Sequence, residues 1–332
     1  MDDHGTRVVG IGASAGGVEA LSAVLAGLTR DFTATVLVVL HQADTAPGRL
    51  ADLLDRRCAL PVVPARDGEP VESGRVHVAV PGHHLLVEKG VQRVSRGPRE
   101  NGHRPAIDPL FRSLALYERS AAVGVVLSGM LDDGSAGLLD LVRHGGTAVV
   151  QDPDDAIYPG MPEAALRQVP GALVRPGADL GPLLAALATR PALATRRRGG
   201  ERLGFEVDVA RGERLAESEP PGPAAGLSCP DCDGPLYDVG DPHVLRYRCR
   251  IGHAWSQDSL RAGQDTRAER ALDTALRALE EKAALHHRIA RHADGRGSSR
   301  TAERARQTAR DALAAAAVVR DLIPSPQGGE PP

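Results

Sequence analysis

Between residue 6 and about residue 190, short apolar runs alternate with stretches in which apolar residues recur at helical spacing. The runs predict buried strands, and the stretches between them predict helices. The predicted strands cover residues 8–12, 35–40, 62–64, 122–127 and 147–150. The predicted helices cover about 17–29, 47–57, 107–118, 134–144, 162–168 and 180–189. Such alternation indicates an α/β domain, doubly wound around a mainly parallel sheet.

One segment of this domain departs from the alternation. Residues 75–80 and 85–88 are apolar runs separated by Pro81 and Gly82, two residues that favour turns. The pattern predicts a β-hairpin, which would form a small antiparallel insertion.

The composition changes after Pro191, and we expect the chain to be divided there. Clusters of Arg, Gly and Pro predict a linker, closely spaced cysteines predict a small unit, and two later stretches of helical spacing predict an antiparallel helical hairpin. The predicted divisions are the α/β domain at 1–193, the linker at 194–226, the cysteine unit at 227–257, the helical hairpin at 258–323 and a disordered tail at 324–332.

A glycine-rich turn, residues 12–17 (GASAGG), joins the first predicted strand to the first predicted helix. Three interpretations are open from these residues alone. A G-x-G-x-x-A pattern from Gly10 resembles a variant dinucleotide-binding turn. A G-x-S-x-G pattern around Ser14 resembles a nucleophile elbow. The third interpretation is a tight turn in which glycines allow close packing.

The residues that follow the predicted strands favour acyl-transfer chemistry. In open parallel sheets, sites form at the carboxyl ends of the strands. Ser14 follows the first strand, His41 follows the second, and Asp132 and Asp133 follow the strand at 122–127. A serine nucleophile needs a base, and the base needs a group that fixes its tautomer. Serine, histidine and aspartate at one edge of the sheet therefore form a candidate triad.

The same residues argue against two interpretations of the turn. A dinucleotide site expects an acidic residue after the second strand, where this chain has His41 followed by Gln42. The elbow of α/β-hydrolases expects the triad in the order Ser, Asp, His. Here the order is Ser14, His41, Asp133.

Several motifs occur in a characteristic order along the predicted domain. They are the turn at 12–17 (GASAGG), His41 at a strand end, and residues 103–111 (HRPAIDPLF), 128–134 (SGMLDDG) and 160–164 (GMPEA). Together they resemble the catalytic domain of the chemotaxis protein-glutamate methylesterases of the CheB type, over about residues 6–190.

The resemblance implies that Ser14 is the nucleophile, His41 the base and Asp133 the residue that orients His41. Asp133 matches the family position before the final glycine of its motif, so Asp132 is interpreted as a neighbouring solvated carboxylate. His103 is interpreted as part of a loop that shapes the substrate groove.

The resemblance also implies a reaction. The substrate would be a glutamyl methyl ester on a methylated chemoreceptor or a related signalling protein, with glutamine deamidation as a second activity and no cofactor for catalysis. Backbone N–H groups of residues 15–17 would stabilise the oxyanion. Ala15 stands where the family often has threonine. The chain begins at the catalytic domain, so we expect no control in cis by a phosphorylated receiver domain.

Two other functions remain open. One is a signalling adaptor of the same fold that acts through its C-terminal module. The other is a serine esterase with a different carboxyl-ester substrate. The complete set of Ser14, His41 and Asp133 favours an enzyme, because an adaptor has no need of it.

Three cysteines and a histidine near the C-terminus have the spacing of metal ligands: Cys229, Cys232, Cys249 and His253. Soft thiolates with one imidazole suit a structural tetrahedral Zn²⁺, which would supply the fold of a segment too small for a strong core. All four positions are used, so no open position for catalysis is expected. The unit and the helical hairpin carry no candidate catalytic residues, and we expect them to serve docking or self-association.

Composition excludes several other classes. A net charge of −3 and an aromatic content of 2% give no basis for nucleic-acid binding. No apolar run approaches the ~20 residues of a membrane span, and the first strand begins too early to leave room for a signal peptide. The cysteines do not resemble a disulfide framework. We therefore expect a cytoplasmic protein that neither binds nucleic acid nor inserts into a membrane.

Overall fold

The computed structural model describes residues 7–191, 200–213, 221–241 and 244–323. The chain divides into two compact units, Met1–Leu260 and Arg261–Pro332. The predicted disordered tail and the arginine run at 196–198 lie outside the described residues. In the described part of the chain, no helix has the length and apolarity needed to cross a bilayer.

The α/β part of the first unit alternates strands and helices as predicted. Its elements, in chain order, are β1 (Val8–Ala13), α1 (Gly17–Ala26), β2 (Thr35–Leu40), α2 (Leu50–Asp55), β3 (Val62–Pro64), β4 (Val76–Val78), β5 (His84–Glu88), β6 (Val91–Ser95), α3 (Ile107–Tyr117), β7 (Ala122–Val126), α4 (Ser135–Arg143), β8 (Thr147–Gln151), α5 (Gly160–Gln168), β9 (Leu173–Arg175) and α6 (Gly177–Ala188).

Seven of these strands form one parallel sheet in the order β3-β4-β2-β1-β7-β8-β9. The chain winds outward from β1 in both directions, which confirms the predicted doubly wound α/β fold. The carboxyl ends of β2, β1 and β7 are adjacent at the point where the order reverses. Open α/β sheets form their ligand sites at this point.

Both faces of the sheet are buried, because its strands are apolar at nearly every position. Val36 and Val38 of β2 pack in the core beneath α1 and α6, whereas Leu37 and Val39 pack in the core beneath α3 and α4. Gly12 lets α3 approach β1 closely, since a Cβ there would lie 2.3 Å from Ile107 Cγ2. The seating of α3 on the sheet therefore depends on a glycine in the first strand.

The predicted antiparallel hairpin exists and contains the predicted strand at 85–88, but the prediction of its partner strand was wrong. β4 joins the parallel sheet between β2 and β3 instead of pairing with β5. The hairpin is formed by β5 and β6 around Lys89 and Gly90, whose φ values of +50° and +80° suit a tight two-residue turn. Lysine is an unusual residue at such a position, so residues 89 and 90 are a weak turn signal.

The segment predicted as a linker contains a packed helix, α7 (Glu201–Arg211). Its Val207 and Ala210 are buried with Leu86 of β5, and Leu203 joins the core beneath α3. This part of the prediction was therefore wrong. The flanking residues 192–199 and 214–220 lie outside the described ones.

The predicted cysteine unit is a four-stranded antiparallel sheet within the first compact unit. Its strands, in spatial order, are β10 (Ala224–Ser228), β11 (Pro235–Asp238), β12 (Arg246–Cys249) and β13 (Ala254–Ser256). A parallel bridge joins Ala254 to Glu100 of the α/β part.

A buried cluster of five charged side chains also connects this small sheet to the α/β part. Its members, none more than 4% exposed, are Glu100, Arg112, Glu206, Arg246 and Arg248. Arg246 Nη2 lies 3.1 Å from Glu206 Oε2, and Arg248 Nη2 lies 3.4 Å from Glu100 Oε1. Arg112 of α3 contacts both glutamates. Burial by itself would raise the pKa of Glu206, but the three arginines hold this pKa below its usual range. The cluster joins α3, α7 and β12, and each of its three arginines contacts at least one of the two glutamates.

The second unit is built from a helical pair, as predicted. α8 (Gln257–Gly295) begins in the first unit and continues into the second, and α9 (Ser299–Leu322) follows a short turn. Ion pairs join Glu280 to Arg320 and Asp294 to Arg306, so the two helices run antiparallel. α9 buries alanines at alternating spacings of three and four: Ala302, Ala305, Ala309, Ala312 and Ala316.

Candidate active site

The structure brings the three residues of the candidate triad together at the carboxyl ends of β1, β2 and β7. Ser14 follows β1 directly, His41 follows β2 directly, and Asp133 lies in the loop before α4. His41 Nδ1 is 3.1 Å from Ser14 Oγ, and His41 Nε2 is 2.7 Å from Asp133 Oδ2. The side chains of His41 and Asp133 are 6% and 2% exposed, whereas Ser14 is half-buried.

Asp133 is held as a carboxylate by hydrogen bonds at the start of α3. Oδ2 accepts the Ile107 N–H at 2.7 Å, and Oδ1 accepts the Asn101 amide at 2.8 Å and the Asp108 N–H at 3.4 Å. Burial would raise the pKa of Asp133, but the hydrogen bonds from His41 and Ile107 outweigh burial and hold this pKa well below its usual range. A helix N-terminus also favours a negative charge.

The ionised Asp133 determines which nitrogen of His41 carries the proton. A carboxylate can only accept hydrogen bonds, so Nε2 of the neutral imidazole must be the N–H that faces it. Nδ1 then presents its lone pair to Ser14 Oγ. The arrangement can accept the hydroxyl proton from Ser14, which is the task of a general base.

His103 stacks on the ring of His41, with centroids 3.7 Å apart and planes 10° apart. Burial, together with the neighbouring His41, lowers the pKa of His103 to about 4. His103 is therefore neutral near pH 7 and covers one face of the His41 ring.

The turn before α1 is fixed by Ser128, whose role the sequence did not reveal. Ser128 Oγ donates to the Ala15 carbonyl at 2.8 Å and accepts the Tyr158 N–H at 2.9 Å. Gly16 has a φ of +68°, and a Cβ there would lie 2.7 Å from Ser128 Oγ. Glycine is therefore required at this position.

One of the three predicted oxyanion donors was wrong. The Gly17 N–H donates to the Ser14 carbonyl at 2.9 Å and is not available for a substrate. Within the described part of the chain, the N–H groups of Ala15 and Gly16 make no hydrogen bond to a backbone carbonyl. These two groups remain as candidate donors.

The interpretation of Asp132 as a solvated carboxylate was wrong. Asp132 is 7% exposed, and its carboxylate accepts the N–H groups of Asp258 (3.0 Å) and Ser259 (3.1 Å) at the start of α8. The Ser259 hydroxyl donates to it at 2.6 Å, and Ser256 Oγ lies 2.7 Å away. Burial raises the pKa of Asp132, against the hydrogen bonds from Ser259 and Ser256. Asp132 thus holds the start of α8, at residues 258 and 259, beside the candidate triad.

The four predicted metal ligands also meet, at one end of the small antiparallel sheet. Their Sγ and Nδ1 or Nε2 atoms all lie within 4.8 Å of one another, and this group is called the Cys/His cluster: Cys229, Cys232, Cys249 and His253. His253 Nδ1 is 3.7 Å from Cys229 Sγ and 3.6 Å from Cys249 Sγ, and Cys232 Sγ is 3.7 Å from Cys249 Sγ. The cluster could bind a metal ion.

Comparisons with known proteins identify relatives of the α/β part of the chain. The family model described as CheB methylesterase matches residues 9–184. Protein-glutamate methylesterase/protein-glutamine glutaminase 1 of Cupriavidus pinatubonensis is 40% identical over 190 residues, which are 56% of this chain and 55% of the relative. Protein-glutamate methylesterase/protein-glutamine glutaminase 5 of Anaeromyxobacter dehalogenans is 41% identical over 165 residues, which are 48% of this chain and 45% of the relative. The chain spans about half the length of the curated relatives it matches.

A solved structure shows the same fold. The crystal structure of the Thermotoga maritima CheB methylesterase catalytic domain superposes with a TM-score of 0.53 at 29% sequence identity. The match covers 55% of this chain and 99% of that domain.

Proposed function

The chain belongs to the CheB methylesterase family, and from this premise we propose that its α/β domain hydrolyses glutamyl methyl esters on chemoreceptor-type signalling proteins. The observation that carries the proposal is the hydrogen-bonded series from Ser14 Oγ through His41 to the buried Asp133 carboxylate.

The proposed reaction proceeds through an acyl-enzyme. Ser14 Oγ attacks the ester carbonyl carbon while His41 Nδ1 takes the hydroxyl proton. The tetrahedral intermediate collapses, the bond to the methoxy oxygen breaks, and His41 returns the proton so that methanol leaves. A water molecule, deprotonated by His41, then attacks the acyl carbon, and the bond to Ser14 Oγ breaks as His41 returns the proton to that oxygen, which frees the glutamate side chain.

Two further groups assist the charged stages. Asp133 keeps His41 in the required tautomer and stabilises the imidazolium that forms. The N–H groups of Ala15 and Gly16 stabilise the oxyanion, a contribution of about 3 kcal/mol for a single donor.

The names of the curated relatives favour glutamine deamidation as a second activity. The same acyl-enzyme forms when Ser14 attacks a glutamine side-chain amide. His41 then protonates the departing nitrogen, and ammonia leaves in place of methanol.

Exposed apolar side chains beside Ser14 are the proposed contact surface for the substrate protein. Met130, Ile157 and Tyr158 are 58%, 59% and 40% exposed. Ile157 lies against Gly16, and Met130 follows Gly129, where a Cβ would lie 2.9 Å from Ser14 Cβ. A helix that presents its methylated glutamate to Ser14 would rest on this apolar rim.

Methanol release tests the function. Membranes that carry radiomethylated chemoreceptors are incubated with the wild-type chain and with Ser14→Ala. The wild type is expected to release labelled methanol and Ser14→Ala to release none, while both show the same circular dichroism and thermal unfolding. Retained release by Ser14→Ala would reject Ser14 as the nucleophile.

The same assay separates the alternatives. Hydrolysis of small soluble carboxyl esters without release from receptors would identify an esterase with another substrate. Absence of any turnover, with receptors still bound, would identify an adaptor.

We further propose that the Cys/His cluster binds Zn²⁺ as a structural ion. Zn–S bonds of about 2.3 Å and a Zn–N bond of about 2.0–2.1 Å in a tetrahedron imply S–S separations of about 3.8 Å and S–N separations of about 3.6 Å. Three separations in the cluster, 3.6–3.7 Å, support this geometry, and all four ligand atoms lie within 4.8 Å of one another. With four protein ligands, the ion stabilises the small sheet and takes no part in ester hydrolysis.

The zinc proposal has a matched pair of variants. Cys249→Ser is expected to lose bound zinc, measured by elemental analysis, and to destabilise the first unit. Cys58→Ser removes a half-buried cysteine outside the cluster and is expected to retain about one zinc per chain. Equal zinc content in the two variants would reject the site.

For the helical pair we propose a role in docking or self-association. Its exposed apolar side chains support this role: Leu285, Ile289, Leu313, Val318 and Leu322. Sedimentation of the full chain across a concentration series tests self-association. A molecular mass that stays at the monomer value would reject self-association, and docking to another protein would be the remaining role.

We also propose a cytoplasmic location. The four cysteines form no disulfide, and a thiolate metal site requires a compartment in which thiols stay reduced. Fractionation of cells that express the chain tests this location.

A further inference from the structure

The turn that carries Asn101 lies between the candidate triad and the small antiparallel sheet. The Glu100 N–H donates to the His103 carbonyl at 3.1 Å, and the His103 N–H donates to the Glu100 carbonyl at 2.8 Å. The two central residues, Asn101 and Gly102, have φ values of +52° and +77°. Asn-Gly favours this left-handed geometry. Asn101 is thereby held in a tight turn, and it is only 5% exposed.

The side chain of Asn101 connects Asp133 to Ser256. Its Nδ2 donates to Asp133 Oδ1 at 2.8 Å, and its Oδ1 accepts the Ser256 backbone N–H at 2.8 Å. A backbone N–H can only donate, so it selects the oxygen of the amide and directs the NH2 group towards Asp133. The Ser256 hydroxyl lies 2.9 Å from the same oxygen. Ser256 therefore fixes which end of the amide faces the triad.

Ser256 belongs to a short stretch that leads directly out of the Cys/His cluster. His253, three residues earlier, is a member of the cluster. The Asn101 N–H donates to the Ala254 carbonyl at 2.8 Å. Trp255 is buried in the core of the small sheet and packs among cysteines of the cluster. The stretch thus holds Asn101 by its backbone and by its side chain.

The two oxygens of Asp133 have unequal support. Oδ2 binds His41 and the Ile107 N–H, both at 2.7 Å. Oδ1 has one short bond, from Asn101, and one long bond of 3.4 Å, from the Asp108 N–H. Without the Asn101 amide, Oδ1 is a buried acceptor that is poorly satisfied, and the carboxylate is held mainly through Oδ2. The orientation of His41 through Asp133 would then be less firmly fixed.

We propose that Asn101 is a positioning residue for Asp133 and that Ser256 orients the Asn101 amide. The small antiparallel sheet that carries the Cys/His cluster thereby completes the esterase site of the α/β domain. This inference rests on the proposed function. Asn101 is buried and acts on turnover through Asp133 and His41, whereas the substrate is bound elsewhere. The expected signature is a lower kcat with an unchanged KM.

The test uses the full chain, with kcat expressed per active site counted by fluorophosphonate titration of Ser14. Asn101→Ala is expected to lower kcat about 10- to 100-fold, since it removes a hydrogen bond to a charged group. Asn101→Asp is expected to lower kcat further, because an acceptor then faces Asp133 Oδ1. Ser256→Ala retains the backbone N–H and is expected to lower kcat about threefold.

Ser259→Ala is the matched control. Ser259 is buried in the same region, and its hydroxyl binds Asp132 at 2.6 Å without contacting Asn101. This variant is expected to keep kcat within about twofold of the wild type. Equal losses in Ser256→Ala and Ser259→Ala would overturn the role of Ser256.

An unchanged kcat per titrated site in Asn101→Ala or Asn101→Asp would overturn the positioning role. If Asn101 had a merely structural role, its variants would have fewer active sites that react with the fluorophosphonate, but the kcat of each reactive site would be unchanged. If Asn101→Ala does not fold, Ser256→Ala and its control decide the question, and an unchanged kcat per site in Ser256→Ala would then overturn the proposal.

The rate of phosphonylation at Ser14 separates this inference from the proposed function. A wild-type chain that is labelled but releases no methanol would reject the function alone. In that case, slower phosphonylation of Asn101→Asp than of the wild type would still support the positioning role. Equal phosphonylation rates in the two proteins would overturn it. A wild-type chain that is not labelled at all would overturn both.

Discussion

Two buried carboxylates near the start of α3 have opposite pKa shifts. Hydrogen bonds from His41 and Ile107 outweigh burial and hold the pKa of Asp133 below its usual range, whereas burial and the nearby Asp133 charge raise the pKa of Asp108 to about 7. The Gly137 N–H donates to Asp108 at 2.6 Å. A single negative charge in this pocket belongs mainly to Asp133, which is the carboxylate that His41 needs. Pairs of carboxyl groups whose pKa values are shifted in opposite directions are common in active sites that need one acid and one base.

Asp133→Asn should lower kcat about 10⁴-fold, as the equivalent change does in a serine-protease triad. An amide in place of the carboxylate can donate to His41 Nε2, so the wrong nitrogen would carry the proton. KM should stay unchanged because Asp133 is buried away from the substrate. Steady-state methanol release measures both constants, and a loss of less than about tenfold would contradict the role of Asp133.

His103 gives a prediction for stability against pH. Its pKa of about 4 in the folded chain lies below its ordinary value of 6.5. Between these values the unfolded chain binds more protons, so the free energy of unfolding should fall as pH drops from about 6.5 to about 4. The loss from this residue is at most about 3 kcal/mol.

Urea unfolding at a series of pH values measures this loss. His103→Asn should show a shallower decline than the wild type over the same window, because it lacks the titrating group. Parallel curves for the two proteins would contradict the assignment.

Single residues at strand ends were predictable, and residues fixed by distant contacts were not. Ser14, His41 and Asp133 follow strands of an open parallel sheet, where a general rule places functional side chains. Asn101 and Ser128 gave no such signal. Asn101 acquires its role from Ser256, which lies 155 positions later in the chain. Asp132 was misjudged for the same reason, since the start of α8 covers it.

At the scale of elements, the position of α3 connects the fold to the chemistry. The first turn of α3 donates two N–H groups to Asp133, so the helix must approach the sheet closely. The absence of a side chain at Gly12 of β1 permits that approach. The strands and helices of the α/β part were predicted well because periodicity and burial agree there. The hairpin was misplaced because its turn residues, Lys89 and Gly90, give a weak signal.

Gly12→Ala should destabilise the chain by about 1–3 kcal/mol, because the added methyl group would overlap Ile107 and displace α3. Activity should fall as well, since α3 holds Asp133. Gly204→Ala is the matched control: it lies within α7 with open space around it and should be neutral or stabilising by up to about 1 kcal/mol. Urea unfolding and methanol release measure both effects, and equal stabilities of the two variants would contradict the packing argument.

At the scale of the whole molecule, the C-terminal sheet and the α/β part form one compact unit. The buried charge cluster and the bridge between Glu100 and Ala254 join them. The sequence suggested a linker and a separate small unit, because clusters of Arg, Gly and Pro favour a linker and closely spaced cysteines favour a small unit. Ion pairs between residues far apart in the chain bury these charges and join the two parts. Composition alone does not show which distant residues pair.

Glu206→Gln should lower the free energy of unfolding by about 3–5 kcal/mol, since it leaves three buried arginines with one carboxylate. Glu213→Gln is the matched control, because Glu213 is largely exposed in its pair with Arg211 and should contribute about 1 kcal/mol or less. Chemical denaturation followed by circular dichroism compares the two. Similar losses would show that the cluster does not hold the molecule together.

The central claim is that ester hydrolysis proceeds through Ser14 in a site completed by His41 and Asp133. The most direct measurement combines fluorophosphonate labelling, peptide mapping by mass spectrometry and methanol release on the same sample. The predicted result is a single adduct on Ser14, with methanol release falling in proportion to labelling. Methanol release that persists after complete modification of Ser14, or an inactivating adduct at another residue, would contradict the claim.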